Sequence, residues 1–361
     1  MIYTKYISAT ILIALLVISG CQNQQKQGDA ALLQPEFNVG FLILDIKNEQ
    51  RNVTVAVWYP TKDTPTEYQY QNPQKTVSMI AFEGKPYHEY GPFPLIVYSH
   101  GYGAGALTGI YLAEYLAGHG YIVAAPDHTD EFTVMRITGG GDRDMREYFK
   151  SALNLANSGK DFDRDAFSYR PEDISFVIDE MLHLNRTKSV LQGCINEKLI
   201  GGMGHSLGGY TMLMVGGIDQ EYYDPRITAL LLLSGGVFMF DSQEYTSISV
   251  PVMFMYGEKE GSLIRANVVN DKASDTQTAY ENCYPPTFLL VIKGGNHFSF
   301  GQTVFQDSWP GMGEKEGHKQ ADVICRYGLA FFEVYIKGNN EFKEILYNDH
   351  AMLAHYENQL K

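Results

Sequence analysis

The sequence from Leu199 to Gly209 reads LIGGMGHSLGG and places a Gly-x-Ser-x-Gly motif around Ser206. A short strand is predicted before the motif, and a helix is predicted to begin after the serine. Glycines on both sides let the chain turn sharply between the two elements, so that the hydroxyl stands clear of both. The N–H groups and the dipole of a helix start favour developing negative charge. The stretch therefore predicts a nucleophilic serine; a glycine-rich structural turn is the alternative.

Short apolar runs alternate with amphipathic stretches on both sides of this motif. Apolar residues recur with helical spacing over 109–119 and 174–184. Because strand, helix and strand follow in succession, we predict a mostly parallel central sheet with helices on both faces, in one α/β domain over 36–361. The predicted strands are 53–60, 94–101, 121–126, 198–201, 229–233, 252–256 and 288–292.

One segment of this domain has a different composition. Between 129 and 170 the chain carries three consecutive glycines at 139–141 and two charged runs. This is too long for a plain turn. We predict an insertion over the site, acting as a lid or as a flap that contacts substrate; a solvated surface excursion is the alternative.

A serine hydroxyl needs a general base, and in proteins with this kind of turn an acid and then a histidine follow the serine in chain order. His297 lies in the sequence KGGNHF, just after the strand predicted at 288–292. We predict His297 as the base. The other histidines that border motifs or strands are interpreted as structural hydrogen-bonding residues.

The acid is expected between the serine and the histidine, at the end of a strand whose tip faces the same site. The sequence after the strand at 252–256 reads GEKE, and the carboxylate three residues beyond Gly257 is Glu260. Glu260 would hold the histidine tautomer and stabilise the imidazolium that forms during attack. Glu258 and then Asp241 are the alternatives, and so is a charged turn with no catalytic role.

Cleavage of an acyl bond also needs two backbone N–H donors for the oxyanion of the tetrahedral intermediate. Leu207, directly after the serine, is predicted to supply one of them. The glycine-rich turn HGYG at 100–103 follows a predicted strand, and the N–H of Tyr102 is the candidate for the second. A turn that merely joins strand to helix is the alternative.

The first residues resemble an export signal. After Lys5, the run from Ile11 to Ile18 is nearly continuous apolar sequence, shorter than the roughly 20 residues that cross a bilayer. The sequence ISGC then ends at Cys21, as in a lipobox. We predict a signal peptide over 1–20, a lipidated Cys21 and a tether over 21–35. The chain would then be an exported bacterial lipoprotein, anchored to a membrane and facing the periplasm or the cell surface. An ordinary signal with a chance cysteine is the alternative.

Composition limits the partners and cofactors of the chain. With 28 basic and 42 acidic residues and a net charge of -14, it offers no basic surface for nucleic acid. The spacing of Cys and His contains no zinc motif, and no metal, cofactor or protein partner is predicted. Two alternatives are open for Cys194, Cys283 and Cys325: one disulfide among them, as in many exported proteins, or buried thiols.

Three stretches together resemble the platelet-activating factor acetylhydrolases, a family of the α/β-hydrolase superfamily grouped with the dienelactone hydrolases and bacterial polyester hydrolases. They are 94-PLIVYSHGYG-103, 116-LAGHGYIVAAPDH-128 and 204-GHSLGG-209. The resemblance covers roughly 53–300. It implies an α/β-hydrolase fold and calcium-independent hydrolysis of short or oxidised acyl esters without a cofactor. It also implies the same roles for Ser206, His297, Tyr102 and Leu207.

Two features depart from these families. In the acetylhydrolases the acid follows the first strand after the serine-bearing turn and its helix, where this sequence reads LSGG at 233–236, without a carboxylate. Dienelactone hydrolases use a cysteine nucleophile, so the serine here argues against their chemistry.

From the motifs and the resemblance to the acetylhydrolases, we predict a serine carboxylic-ester hydrolase whose leading substrates are phospholipids with short acyl groups. The alternatives are a general short-chain or polyester esterase, and a lipoprotein that keeps the fold only to bind a ligand.

Overall fold

The computed structural model describes residues 31–72, 74–130, 137, 145–260, 272–305 and 314–361. The chain divides into two compact units, 1–35 and 36–361. In the described part of the first unit, the N–H of Gln34 donates to the carbonyl of Ala31 across 3.2 Å. The second unit contains the sheet and the helices that position the site.

A single 11-stranded sheet forms the centre of the second unit. Its strands are β1 (Asn38–Lys47), β2 (Asn52–Thr61), β3 (Thr66–Gln69), β4 (Val77–Phe82), β5 (Phe93–Ser99), β6 (Ile122–Pro126), β7 (Ile195–His205), β8 (Ile227–Leu233), β9 (Val252–Gly257), β10 (Thr287–Ile292) and β11 (Leu353–Gln359). Their order across the sheet is β11-β10-β9-β8-β7-β5-β6-β2-β1-β4-β3.

The central strands are parallel. Strands β6, β5, β7, β8, β9 and β10 pair in parallel in that spatial order, while β2 joins β6 and β11 joins β10 antiparallel. All residues of β5, β6 and β10 are buried. Strands covered by helices on both faces lack the alternation of a half-exposed strand, which is why these segments read as continuous apolar runs.

Helices cover both faces of this sheet, as predicted. Within the described residues they are α1 (Ile110–Gly118), α2 (Met145–Ser158), α3 (Tyr169–Arg186), α4 (Leu207–Leu213), α5 (Lys272–Asn282), α6 (Glu314–Tyr335) and α7 (Lys343–Tyr347). Two successive positions of β7 show the two faces: a Cβ at Gly201 would lie 3.2 Å from Phe332 of α6, and a Cβ at Gly202 would lie 2.7 Å from Met212 of α4.

The bounds of several elements differ from those expected from the sequence. Strand β7 begins three residues earlier and ends four residues later than the predicted 198–201, and α3 is longer at both ends than 174–184. Strands β1, β3, β4 and β11 were not predicted. Of these, β11, LAHYENQ, is a polar strand at the edge of the sheet, and only its first residue is buried.

The segment predicted as an insertion, 129–170, is described at 129–130, 137 and 145–170. It contains α2 and two short 3₁₀ turns, Gly159–Asp161 and Asp165–Phe167, and it leads directly into α3. The remaining residues of the predicted lid lie outside the described residues.

The predicted signal peptide over 1–20, Cys21 and the tether up to residue 30 also lie outside the described residues. Among the helices that are described, none combines the length and the apolar character that a membrane span requires. Cys194, Cys283 and Cys325 are free thiols and all three are buried. Burial raises the pKa of Cys194 to about 11 and that of Cys283 to about 12, so both stay protonated at neutral pH.

Candidate active site

Ser206 stands alone between β7 and α4. Its backbone has φ 55° and ψ −120°, a left-handed conformation that a non-glycine residue adopts only when its surroundings hold it there. The glycines on either side permit the turn: a Cβ at Gly204 would lie 2.2 Å from the carbonyl oxygen of Gly208, and a Cβ at Gly208 would lie 1.9 Å from that of Ser99. The predicted strand, turn and helix are therefore present, with the serine at the apex.

His297 lies against Ser206. It follows β10 and begins a short 3₁₀ turn, whose start is capped by the Asn296 side chain accepting from the N–H of Phe298 across 2.8 Å. Its Nε2 is 3.0 Å from the Oγ of Ser206. A further hydrogen bond of 2.9 Å joins the Nε2 of His205 to the carbonyl oxygen of His297. The ring is thus within hydrogen-bonding distance of the hydroxyl from which a general base would take a proton.

The three candidate acids have different surroundings. Glu260 is only 4% exposed, and its Oε1 accepts from the N–H of Gly257 across 2.8 Å. Glu258 is exposed and accepts from the N–H of Gly294 across 2.7 Å. Asp241 is exposed and forms an ion pair with Lys160. Glu260 is therefore the one buried carboxylate of the three.

The turn that carries Glu260 is fixed to the loop that carries His297. The N–H of Glu258 donates to the carbonyl of Ile292 across 3.0 Å, and the N–H of Lys259 donates to that of Gly295 across 2.7 Å. The two loops are in close contact, since a Cβ at Gly257 would lie 2.4 Å from the carbonyl carbon of Gly295. The structure thus brings the predicted base and the predicted acid to adjoining loops.

The turn predicted to bind the oxyanion lies beside the serine. A Cβ at Gly101 would lie 3.1 Å from the Cβ of Ser206, so Tyr102 follows a residue in contact with the nucleophile. Gly103 has φ 64°, and its N–H donates to the Oδ2 of Asp130 across 2.9 Å. Leu207 begins α4, where the first backbone N–H groups have no acceptor within the helix.

A buried ion pair between Arg170 and Asp130 contacts the oxyanion turn. Arg170 is completely buried, and its Nη2 lies 2.6 Å from the Oδ2 of Asp130. The guanidinium also donates to the carbonyl of His100 across 2.8 Å and to that of Gly101 across 3.3 Å. Burial alone would raise the pKa of Asp130, but Arg170 beside it holds that pKa below its ordinary value. Arg170 thus fixes two carbonyl groups directly before Tyr102.

Two buried histidines complete this cluster. Burial and the nearby Arg170 lower the pKa of His100 and of His128, so both rings are neutral at pH 7. The Nε2 of His128 lies 2.9 Å from the Oγ of Ser99, and its Nδ1 lies 2.9 Å from the Oδ2 of Asp173. The ring of His128 thus joins Ser99 to Asp173 inside this buried cluster.

We expect Arg170→Met to destabilise the protein by about 3–5 kcal/mol, because the change removes the cation that compensates the buried Asp130 carboxylate. The measurement is the free energy of unfolding in urea. Arg186→Met is the matched control, since Arg186 is exposed and pairs with Glu197 at the surface, where loss of a pair costs about 0–1 kcal/mol. Equal losses in the two variants would contradict the assigned role of the buried pair.

A cavity of about 600 Å³ adjoins the oxyanion turn on the side of the insertion. Aromatic rings of Tyr102, Phe162, Phe167 and Tyr169 line it together with shorter polar side chains. Tyr102 contacts α2 here: its hydroxyl lies 2.7 Å from the Oγ of Ser151. The described part of the insertion therefore forms one wall of a cavity that begins at the predicted oxyanion residue.

Sequence reasoning missed two parts of this site. The Asp130–Arg170 pair has no motif, because its members are 40 positions apart and meet only in the folded chain. Ser234 was noticed only as a position without a carboxylate, yet its Oγ lies 2.5 Å from the Nδ1 of His297. The position of Ser234 directly after β8 is the sequence feature that could have identified it. Within the described residues, no group of three His, Cys, Asp or Glu side chains is placed to hold a metal ion.

Comparisons with known proteins point to one group of enzymes. The family described as platelet-activating factor acetylhydrolase, isoform II, matches residues 68–139. The platelet-activating factor acetylhydrolase of Cavia porcellus is 24% identical over 340 residues, which cover 80% of this chain and 74% of that protein. That of Bos taurus is 25% identical over 288 residues, which cover 70% of this chain and 59% of that protein. The match thus spans less than two thirds of the bovine relative.

A solved structure shows the same fold. The ferulic acid esterase from Streptomyces cinnamoneus matches with a TM-score of 0.61 at 20% identity, over 84% of this chain and 91% of that one. Together with the sheet order and the serine-bearing turn, this shows the α/β-hydrolase fold. In sequence the chain is similar to the platelet-activating factor acetylhydrolases, a family of carboxylic-ester-hydrolase type. The resemblance predicted from the sequence is confirmed.

Proposed function

We propose that the chain is a serine carboxylic-ester hydrolase that releases short acyl groups from phospholipids through an acyl-enzyme on Ser206. The contact of 3.0 Å between the Ser206 Oγ and the His297 Nε2, at a serine held in a left-handed turn, carries this proposal. A hydroxyl in such a turn is exposed to substrate on one side and to its base on the other.

The proposed reaction follows from these positions. As the Ser206 oxygen attacks the carbonyl carbon of the ester, its proton passes to the Nε2 of His297. When the bond to the alcohol breaks, the same proton passes to the departing oxygen. Water then attacks the acyl-enzyme and gives a proton to His297, and this second proton passes to the Ser206 oxygen as the carboxylic acid leaves. No cofactor takes part.

Charge stabilisation is assigned to the groups around this pair. The N–H groups of Tyr102 and Leu207 would donate to the oxyanion, since the turn at Gly101 touches Ser206 and Leu207 follows it directly. The buried carboxylate of Glu260 would stabilise the imidazolium, because burial strengthens the attraction between opposite charges.

The substrate class is supported by the aromatic cavity beside Tyr102 and by the similarity to the acetylhydrolases. A volume of about 600 Å³ lies within the range of sites that enclose small organic ligands. An ester bound at Ser206 would place its carbonyl oxygen at the oxyanion turn and its alcohol portion in this space beside Tyr102.

Hydrolysis of a chromogenic ester series from acetyl to dodecanoyl, beside an acetyl ether phospholipid, tests the proposal. We expect kcat/KM of the full-length chain to be highest for the shortest acyl groups and the phospholipid to be hydrolysed as well. The control is Ser206→Ala. Turnover of simple esters alone would favour a general short-chain or polyester esterase, and no turnover at all would favour a ligand-binding protein.

We further propose that Cys21 carries a lipid that anchors the chain to a bacterial membrane, which would bring the site close to phospholipid substrates. Its support is the sequence alone: an apolar run that ends at ISGC. More than one acyl chain is needed for stable anchoring, because a single chain gives only marginal binding.

Cys21→Ala is expected to move the protein from the membrane fraction to the soluble fraction when cells are lysed and fractionated. Cys194→Ala is the matched control, since that thiol is buried in the domain and should leave the distribution unchanged. A Cys21→Ala protein that stays in the membrane fraction would count against the lipobox.

A further inference from the structure

His297 lies between two serine hydroxyls. Its Nε2 faces Ser206 across 3.0 Å, and its Nδ1 faces the Oγ of Ser234 across 2.5 Å. Ser234 follows the last residue of β8 and is 5% exposed. Its N–H donates to the carbonyl of Met255 in β9 across 2.7 Å, which ties the position to the next strand of the sheet.

The backbone at Ser234 is as unusual as the backbone at Ser206. Among the described residues, the non-glycine residues with positive φ are Lys75, Glu83, Ser206 and Ser234. Lys75 and Glu83 are exposed, whereas Ser234 is buried with φ 49°. Such conformations are strained and persist where the surroundings fix them, often at functional sites. Both serines that contact His297 are held in this way.

We propose that Ser234 is a positioning residue that shares the Nδ1 side of His297 with Glu260. This inference rests on the proposed function. The Ser234 oxygen accepts the Nδ1–H, so the neutral ring keeps its proton on Nδ1 and presents a free lone pair at Nε2 to Ser206. The Ser234 hydroxyl keeps its own proton throughout, and the buried Glu260 supplies the negative charge.

This division of roles predicts a change in pH dependence. A hydrogen bond from Nδ1–H is stronger when the ring is protonated, because charge-assisted bonds are the stronger ones. Loss of the Ser234 oxygen therefore destabilises the protonated ring more than the neutral ring. In Ser234→Ala the acid limb of the kcat/KM profile should move to lower pH, and kcat/KM at its plateau should fall about tenfold. A purely structural defect would lower the plateau without moving the limb.

The same geometry predicts that a carboxylate at position 234 can replace the one at 260. Aspartate and asparagine tolerate the left-handed backbone better than most other residues, so both fit φ 49°. In the Glu260→Gln background, Ser234→Asp should raise kcat/KM about tenfold or more, because charge then lies next to Nδ1. Ser234→Asn has the same size and no charge, and it should give no such increase.

The experiment measures kcat/KM of the full-length chain against pH on a chromogenic acetyl ester. The proteins compared are the wild type, the single variants Ser234→Ala and Glu260→Gln, and the double variants that combine Glu260→Gln with Ser234→Asp or with Ser234→Asn. Labelling of Ser206 by a fluorophosphonate is measured in parallel. A shifted acid limb and rescue by aspartate alone support the proposal. If the wild type is active and labelled but Ser234→Ala shows no shift of the acid limb, the proposal is overturned. It is also overturned if Ser234→Asn raises kcat/KM in the Glu260→Gln background as much as Ser234→Asp does. A wild type that neither hydrolyses the ester nor becomes labelled overturns the proposed function, and this inference with it.

Discussion

Ser206→Ala is expected to lower kcat for ester hydrolysis by about 10⁶-fold, because nucleophile and base act as a unit and removing either one abolishes the contribution of both. The 3.0 Å contact between Ser206 and His297 places the two in that relation. Steady-state hydrolysis of an acetyl ester by wild type and variant at equal concentration measures the effect.

The matched control is Ser242→Ala, which removes a hydroxyl from an exposed position of the same domain and should leave kcat unchanged. The variant at 206 should still bind ester substrates, since the oxyanion turn and the cavity at Tyr102 are untouched. Hydrolysis by Ser206→Ala at more than about one hundredth of the wild-type rate would show that another group is the nucleophile, because the residual activity expected is far smaller.

Glu260→Gln is expected to lower kcat about 10⁴-fold, since an amide in place of the carboxylate removes the buried charge that stabilises the imidazolium. Glu260 is buried in the turn that is hydrogen-bonded to the loop of His297. The measurement is kcat at the pH optimum.

Glu258→Gln serves as the control two positions away, where the carboxylate is exposed and accepts from the N–H of Gly294. It should keep most of the activity. Full activity in Glu260→Gln together with a large loss in Glu258→Gln would mean that the acid has been assigned to the wrong residue.

The sequence was most informative where function depends on a few neighbouring residues. The turn around Ser206 needs small residues at fixed positions, and the requirement is met by Gly204 and Gly208 within one motif. His297 could be predicted because it follows a short apolar run that became β10. Chain order then limited the search for an acid to the residues between them.

Features that depend on distant pairs could not be predicted in this way. Arg170 and Asp130 carry opposite charges at the two ends of the insertion, and nothing in the local sequence indicates that both are buried. Ser234 is a common polar residue, and its role depends on how the ends of β8 and β10 lie in the sheet. Strand β11 was missed because an edge strand can be polar and still pair with β10.

In the proposed reaction, the ester transfers its acyl group to Ser206. Acid quenching of the full-length chain during turnover of a short-chain chromogenic ester, followed by intact-mass measurement and peptide mapping, tests it most directly. We predict one acyl adduct per chain, on the peptide that contains Ser206, and none in Ser206→Ala. An adduct on another residue, or the same adduct in Ser206→Ala, would contradict it.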